Sequence, residues 1–187
     1  NTVKGSGIDN YGTVNVYGGT VKAPHGQGHG IYNEAKGTAN IYGGTVSSGS
    51  SEGILNKKYF TSGIVNVYGG TVIGATNGIT NNGILNLSGG SVGNLDGNYG
   101  ISNNGTLNLS GAPTITGTWA DIYLNSDKLI TIGEGGLTYT SDKAISVRMN
   151  TPGTFTSGWT TKMGGNADNY GSYFTSANDG YTVQPDG

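Results

Sequence analysis

The 187-residue sequence has no cysteine, only four prolines and few charged residues. The lack of cysteine excludes disulfide bonds and metal sites built on thiolates. Charged residues make up 11% of the chain and the net charge is −2, so an electrostatic grip on nucleic acid is not expected. No apolar run is long enough for a transmembrane helix, and we expect no insertion into a membrane.

Glycine is the abundant residue, with 37 copies, and scattered glycine would indicate disorder. Here glycine recurs at fixed positions between Val, Ile and Leu. Residues 12–21 read G-T-V-N-V-Y-G-G-T-V, and the phrase returns at 37–46 and 63–72, with looser copies at 83–92 and 105–115. A second phrase, Gly-Ile-x-Asn, begins at Gly7, Gly30, Gly53, Gly78 and Gly100. The resulting unit of 22 to 25 residues is typical of solenoid proteins.

One unit contains three short strands. In residues 13–17, alternation with a period of two places Val14 and Val16 on one face and the polar side chains on the other. A pair of glycines then supplies a bend, and further short strands lie before and after this segment. The same residues return in every third strand, which a β-sandwich would not show. The sequence therefore predicts an all-β, single-stranded parallel β-helix of about eight rungs, a rung being one turn of the solenoid.

Stacked rungs lie roughly 4.8 Å apart, so residues one turn apart should form columns. A rung cannot bury its apolar face alone and depends on its neighbours. Two inward columns are predicted, one of Ile8, Ile31, Ile54, Ile79 and Ile101 and one of Val16, Ile41, Val67, Leu87 and Leu109. A corner column is predicted from Asn10, Asn33, Asn56, Asn81 and Asn103. Each of these amides should bond the backbone of its turn and the amide of the next rung.

The repeat loosens after Trp119. We predict regular repeats over residues 1–118, followed over 119–187 by irregular closing rungs and a cap of the same solenoid. The cap is expected to carry Phe155, Trp159, Tyr173 and Phe174. Because the chain begins in the middle of its pattern, we expect it to be a monomeric part of a longer chain.

The repeat N-x-Y/S-G-G-T/S-V, with G-I-x-N before it, resembles the right-handed parallel β-helix repeats of adhesin-like cell-surface proteins of gut Firmicutes, an architecture of the pectate-lyase-like superfamily. The phrases D-I-Y-L, K-L-I-T-I, F-T-S-G-W and D-G-Y-T-V look like the closing rungs and cap of the same family. The resemblance covers nearly the whole chain. It implies an extracellular location, secreted or on the bacterial surface, and a role as a stalk or as a surface that contacts glycans or host proteins. The architecture also carries polysaccharide lyases and hydrolases.

The sequence does not favour catalysis. Glycoside hydrolysis needs converging carboxylates, and no two acidic residues occupy equivalent positions on an exposed strand. His25 and His29 lie four residues apart in a glycine-rich corner, where that spacing fixes no geometry, and we expect them to be solvated. Asn and Asp at 166–169 and 178–180 are expected to form turns. We expect no enzyme, cofactor or metal site; a polysaccharide lyase or hydrolase is the less favoured alternative.

One outward column offers a candidate binding site. Its speculative ligand-binding residues are Tyr17, Tyr42 and Tyr68, with Asn15, Asn40 and Asn66 on the same face. Aromatic rings one rung apart beside amides suit stacking against sugar rings, so a carbohydrate-binding module is the alternative function. A structural explanation, in which like residues stabilise the solenoid by stacking, competes with it.

An insertion at residues 57–60 interrupts the third unit with two lysines and two aromatic residues. Loops can lengthen at such corners without disturbing the rungs. We expect Phe60 to fold the insertion over the core, and a protrusion that binds a partner is the alternative.

Overall fold

The computed structural model describes residues 5–24, 26, 28–138 and 144–184. The first two turns consist of β1 (Ile8–Asn10), β2 (Thr13–Val16), β3 (Thr20–Lys22), β4 (Ile31–Asn33), β5 (Thr38–Ile41) and β6 (Thr45–Ser47). The next three consist of β7 (Ile54–Asn56), β8 (Ile64–Val67), β9 (Thr71–Gly74), β10 (Asn77–Asn81), β11 (Ile84–Leu87), β12 (Ser91–Asn94), β13 (Tyr99–Asn103), β14 (Thr106–Gly111) and β15 (Thr114–Thr116). The closing part contains β16 (Ala120–Leu124), β17 (Ile130–Leu137), β18 (Ile145–Met149), β19 (Thr156–Ser157), α1 (Trp159–Met163), a 3-10 helix (Gly164–Asn169), α2 (Tyr170–Tyr173) and β20 (Phe174–Ser176).

Equivalent strands of successive turns pair to form three parallel sheets. The first sheet has the order β1-β4-β7-β10-β13-β16-β18-β20. The second has the order β2-β5-β8-β11-β14-β17-β19, and the third β3-β6-β9-β12-β15. This topology confirms the predicted all-β parallel solenoid.

The number of turns differs from the prediction. Eight strands lie in the first sheet but only five in the third. Within the described residues no strand of the third sheet follows β15, so five turns are complete and the solenoid has about six turns rather than about eight. In the last turn, the chain between β19 and β20 forms two short helices and a 3-10 helix in place of a third strand.

The strand register confirms the predicted inward columns. Ile54 lies beside Ile31 on one side and Ile79 on the other, and all three side chains are fully buried. In the second sheet Ile41 pairs with Val67 in the same manner. Burying one such aliphatic side chain contributes roughly 1.5–3 kcal/mol, and here each side chain is buried by the turn above and the turn below.

The predicted corner column of asparagines, hereafter the inner asparagine column, is also confirmed. The Asn33 Nδ2 donates to Asn56 Oδ1 at 2.8 Å and to the carbonyl oxygens of Gly37 and Ile64, each at 3.1 Å. The Asn56 Nδ2 repeats the pattern with Asn81 Oδ1 at 2.8 Å. The amides of Asn33 and Asn56 therefore join their own corners to the next turn, and the column ends at Asn103, beside which Leu124 takes the equivalent position.

The double glycine of the first four repeats is explained by close backbone packing between turns. Gly44 has φ 77° and Gly70 has φ 74°, a region that residues with a Cβ rarely adopt. A Cβ on Gly44 would lie 2.6 Å from the carbonyl oxygen of Gly19 in the preceding turn. The bend thus lets stacked turns approach to backbone contact.

The aromatic residues that we assigned to the cap pack around Phe174, which is 2% exposed. The ring of Phe155 lies 5.3 Å and that of Trp159 5.6 Å from the Phe174 ring, both edge to face, and Trp159 also packs on Tyr173. The Trp159 Nε1 donates to the carbonyl of Ala167 at 2.8 Å, which fixes the indole. The domain boundary at residue 118 stays a prediction.

No helix in the described parts of the chain is both long enough and apolar enough to cross a membrane.

Candidate functional site

The three tyrosines of the predicted site form one stacked column on the outer side of the solenoid, hereafter the tyrosine column. The rings of Tyr17 and Tyr42 lie 4.9 Å apart with 8° between their planes, and those of Tyr42 and Tyr68 lie 5.0 Å apart with 13° between theirs. Their exposures are 73%, 45% and 51% for Tyr17, Tyr42 and Tyr68. Because neighbouring rings contact one another, only the remaining surface of each ring is free for a ligand.

The asparagines of the predicted site form a hydrogen-bonded row, hereafter the outer asparagine ladder. The Asn40 Nδ2 donates to Asn15 Oδ1 at 2.8 Å, and the Asn66 Nδ2 donates to Asn40 Oδ1 at 2.7 Å. The row continues through Asn86 and Asn108 with bonds of 2.7 Å. The structure therefore brings all six predicted residues onto one outer surface, and whether they bind a ligand stays a prediction.

A second polar cluster was missed by the sequence analysis. The His29 Nδ1 lies 2.9 Å from Glu52 Oε2, and these side chains are only 17% and 19% exposed. The Ser51 Oγ donates to Glu52 Oε2 at 2.7 Å and lies 3.1 Å from His29 Nδ1. The expectation of a solvated His29 is wrong, because stacking of turns places it beside an acid; His25 lies outside the described residues. The available signal was that His29 and Glu52 both directly precede a Gly-Ile phrase.

The cluster keeps Glu52 ionised. Burial opposes ionisation of Glu52, but hydrogen bonds from His29 and Ser51 outweigh it and lower the pKa of the carboxyl to about 2. The Thr80 Oγ1 donates to Glu52 Oε1 at 3.2 Å, so both carboxylate oxygens are engaged. Ser51 and Glu52 both contact the Nδ1 atom of His29. In a catalytic triad the serine contacts one ring nitrogen of the histidine and the carboxylate contacts the other. The arrangement joins turns and does not activate the serine.

The insertion points away from the core. Phe60 is fully exposed, with a relative exposure of 107%, and Tyr59 is 61% exposed. Lys58 forms an antiparallel bridge with Ser62, which turns the tip outward. The Lys57 Nζ lies 5.7 Å from the ring centre of Tyr32 and 5.4 Å from that of Tyr59. The expectation that Phe60 covers the core is wrong, because the stacked aliphatic columns already fill the interior.

A group of three aromatic residues and one arginine on the outer face of the first sheet was also missed. It consists of Tyr99, Trp119, Tyr123 and Arg148, hereafter the Trp119 patch. The Tyr99 ring stacks on Tyr123 at 4.9 Å and 19°, and meets Trp119 edge to face at 5.9 Å and 84°. Tyr123 lies directly beside Arg148 in the register. Burial raises the pKa of the Tyr99 phenol, while the charge of Arg148 opposes the rise, so the phenol stays neutral and able to donate near neutral pH.

The described residues also enclose cavities that could hold a ligand. The larger, of about 720 Å³, lies under the cap and is lined by residues that include Val147, Trp159 and Phe174. The smaller, of about 330 Å³, lies beside His29 and Tyr32. Among the described residues no group of three or more His, Cys, Asp or Glu side chains is arranged to hold a metal ion.

Asn178, in the segment 178–180 that was expected to form a turn, is hydrogen-bonded to the backbone of β18. The Met149 backbone N–H donates to Asn178 Oδ1 at 2.8 Å, and the Asn178 Nδ2 donates to the Met149 carbonyl at 2.9 Å. This amide joins the closing segment to β18.

Comparison of the chain with protein-family models, with curated proteins and with solved structures finds no match. The fold assignment therefore rests on strand pairing alone, and the resemblance to surface adhesins stays a hypothesis.

Proposed function

We propose that this chain is a non-catalytic β-helical segment of an adhesin-like bacterial protein, secreted or displayed on the cell surface, where it serves as a stalk or as a surface that contacts glycans or host proteins. The observation that carries the proposal is the continuity of contacts between turns. Three parallel sheets and the inner asparagine column run through five complete turns. Each added turn extends such a body by roughly 4.8 Å without a change of cross-section.

The non-catalytic part of the proposal is supported by the geometry of the most polar cluster. Glu52 and Ser51 share one nitrogen of His29, and Glu52 is saturated with hydrogen-bond donors. Such a carboxylate is a poor proton acceptor, because its pKa of about 2 lies far from neutral pH. Incubation of the purified chain with pectin-like and host glycans should release no new reducing ends or unsaturated products. Turnover that a Glu52→Gln substitution abolishes would overturn this part.

The location is tested on intact cells that produce the parent protein. An antibody against this chain should label them or the culture medium, and external protease should remove the cell-bound label. Label that appears only after the cells are broken open would contradict the proposal. The flanking encoded sequence, read for an export signal and a wall-sorting tail, offers an independent check.

A carbohydrate-binding module is the second candidate function, and the exposure of the tyrosine column beside the outer asparagine ladder favours it. In a glycan-array screen, Tyr42→Ala should weaken binding while Tyr11→Ala, which removes a more exposed ring outside the column, should not. Binding that is indifferent to Tyr42→Ala would remove this column as the site.

A further inference from the structure

The outer face of the first sheet differs from that of the second in the variety of its residues. On the second sheet the outward asparagine repeats in five turns, because like amides bond each other. On the first sheet the outward position that follows the inward aliphatic residue changes from each turn to the next. In order along the sheet it holds Asp9, Tyr32, Leu55, Thr80, Ser102, Tyr123 and Arg148. Stacking of identical side chains therefore does not explain which residues occupy the outer face of the first sheet.

Within that face, the Trp119 patch presents a broad aromatic surface. Trp119 is 60% exposed, and its plane stands at 84° to that of Tyr99 instead of lying parallel to it, as the rings of the tyrosine column lie. Tyr99 lies beside Ala120 in the register, and Tyr123 beside Ser102. These two small neighbours let the Tyr99 and Tyr123 rings stack on each other, so the freely exposed ring of the patch is that of Trp119.

Arg148 supplies a positive charge at the edge of these rings and is the only arginine of the chain. The ion pairs formed by the described residues are His29–Glu52 and Lys162–Glu134, so none of them engages Arg148. Of the outward register positions named above, only Asp9 is acidic, and it lies in the first turn. A guanidinium beside exposed rings suits a ligand that has both a flat apolar face and a carboxylate or sulfate.

We propose that the Trp119 patch binds a saccharide that carries an anionic group, with Trp119 stacking on the sugar ring and Arg148 pairing with the carboxylate or sulfate. The hydroxyl groups of Tyr99 and Tyr123 are available to bond the sugar's hydroxyl groups. The inference rests on the proposed glycan-contacting function and assigns it to the first sheet rather than to the tyrosine column.

The test is a glycan array that carries carboxylated, sulfated and neutral oligosaccharides, probed with the purified chain and its variants. Signal should be confined to the anionic oligosaccharides and should fall several-fold when sodium chloride is raised from low to high concentration. Titration of the best array ligand should show a loss of affinity of about tenfold or more in both Trp119→Ala and Arg148→Gln. Arg148→Lys, which keeps the charge without the planar fork, should lose less.

Two matched controls separate the patch from general effects. Lys22→Gln removes one positive charge from the exposed surface of β3 and should leave the affinity unchanged. Tyr11→Ala removes an exposed ring outside both candidate sites and should also leave the affinity unchanged. The thermal unfolding midpoint of every variant is measured, and because Trp119 is exposed, its replacement should leave that midpoint near the wild-type value.

Three results would overturn the proposal. Equal binding of neutral and anionic oligosaccharides would remove the role of Arg148. Binding abolished by Tyr42→Ala and retained in Trp119→Ala would place the site on the tyrosine column, in which case the glycan-contacting function stands and only this assignment fails. Binding of no oligosaccharide at all would refute both the assignment and the glycan-contacting function, and would leave the role of stalk.

Discussion

Two rows of asparagine run along the solenoid with nearly the same hydrogen bonds and very different surroundings. In the inner asparagine column Asn33 and Asn56 are fully buried and their amides join at 2.8 Å. In the outer asparagine ladder Asn40 and Asn66, both half-buried, join at 2.7 Å. If one asparagine of a row is removed, water can take over its hydrogen bonds only in the outer row. The energetic value of the same bond is therefore set by burial, not by its length.

The largest effect is expected for Asn56→Ala in the inner column. The change removes the bonds of Asn56 Nδ2 to Asn81 and to the carbonyls of Gly63 and Ile84. It also removes one acceptor of the Asn33 amide, which keeps its bonds to the carbonyls of Gly37 and Ile64. Because these groups are sealed from water, we expect the free energy of unfolding to fall by about 2–4 kcal/mol. Urea unfolding followed by circular dichroism measures it. If the free energy of unfolding falls no further than in an outer-ladder variant such as Asn66→Ala, burial does not set the value of these hydrogen bonds.

Glu52 provides an intermediate case, a half-buried polar contact between turns. Its pKa is lowered to about 2, so ionised Glu52 stabilises the fold above the ordinary carboxyl pKa, and that contribution is lost as the pH falls from about 4.5 towards 2. We expect this residue to account for about 1–3 kcal/mol of the loss of stability in that interval. Unfolding curves at pH 6, 4 and 3 measure the effect.

Glu52→Gln is the control for the pH series. The glutamine cannot ionise, so the variant should start less stable at pH 6 and lose less on acidification than the wild type. Parallel pH curves for the two proteins would show that other carboxyl groups cause the acid sensitivity.

A smaller effect is expected for Tyr42→Ala in the tyrosine column. Tyr42 stacks on Tyr17 and on Tyr68, and such ring pairs contribute about 0.5–1.5 kcal/mol beyond burial, less where the rings are exposed. We expect a loss of about 1 kcal/mol in the free energy of unfolding. Tyr11→Ala is the control, because Tyr11 is 73% exposed and has no ring partner among the described residues. Equal losses in the two variants would deny the stack a structural role.

The smallest effect is expected for Asn66→Ala in the outer ladder. Asn66 donates to Asn40 and accepts from Asn86, but water reaches both partners after the substitution. A loss of about 0.5 kcal/mol is expected in the same urea assay. A loss near that of Asn56→Ala would show that the outer amides are coupled along the row and would overturn the burial argument.

The predicted and observed structures agree most closely where like residues stack. Ile54 and Asn56 were assigned to columns because the same residues occur one turn earlier and one turn later, and the register places them there. Phe60 was misassigned because it belongs to an insertion without a counterpart in other turns. Its backbone follows local pairing between Lys58 and Ser62, which no repeat reveals.

The candidate sites divide in the same way. The tyrosine column was found from sequence since its three members are identical. The Trp119 patch was not, because its two tyrosines do not occupy equivalent positions: Tyr99 lies beside Ala120 and Tyr123 beside Ser102. The contact between His29 and Glu52, which the sequence analysis also missed, joins unlike residues that occupy equivalent positions in successive turns.

By itself, the sequence determined the period of the solenoid, the direction of strand pairing and the residues that fill its interior. It could do so because stacking of turns selects the same residue at the same place in each lap, which leaves a periodic trace. Only the tertiary structure decided how many turns are complete, which amides are sealed from water and which unlike side chains meet on the outer face. Those contacts depend on the conformation of every corner and insertion along the chain. Interactions between unlike residues also produce no repeating pattern in the sequence.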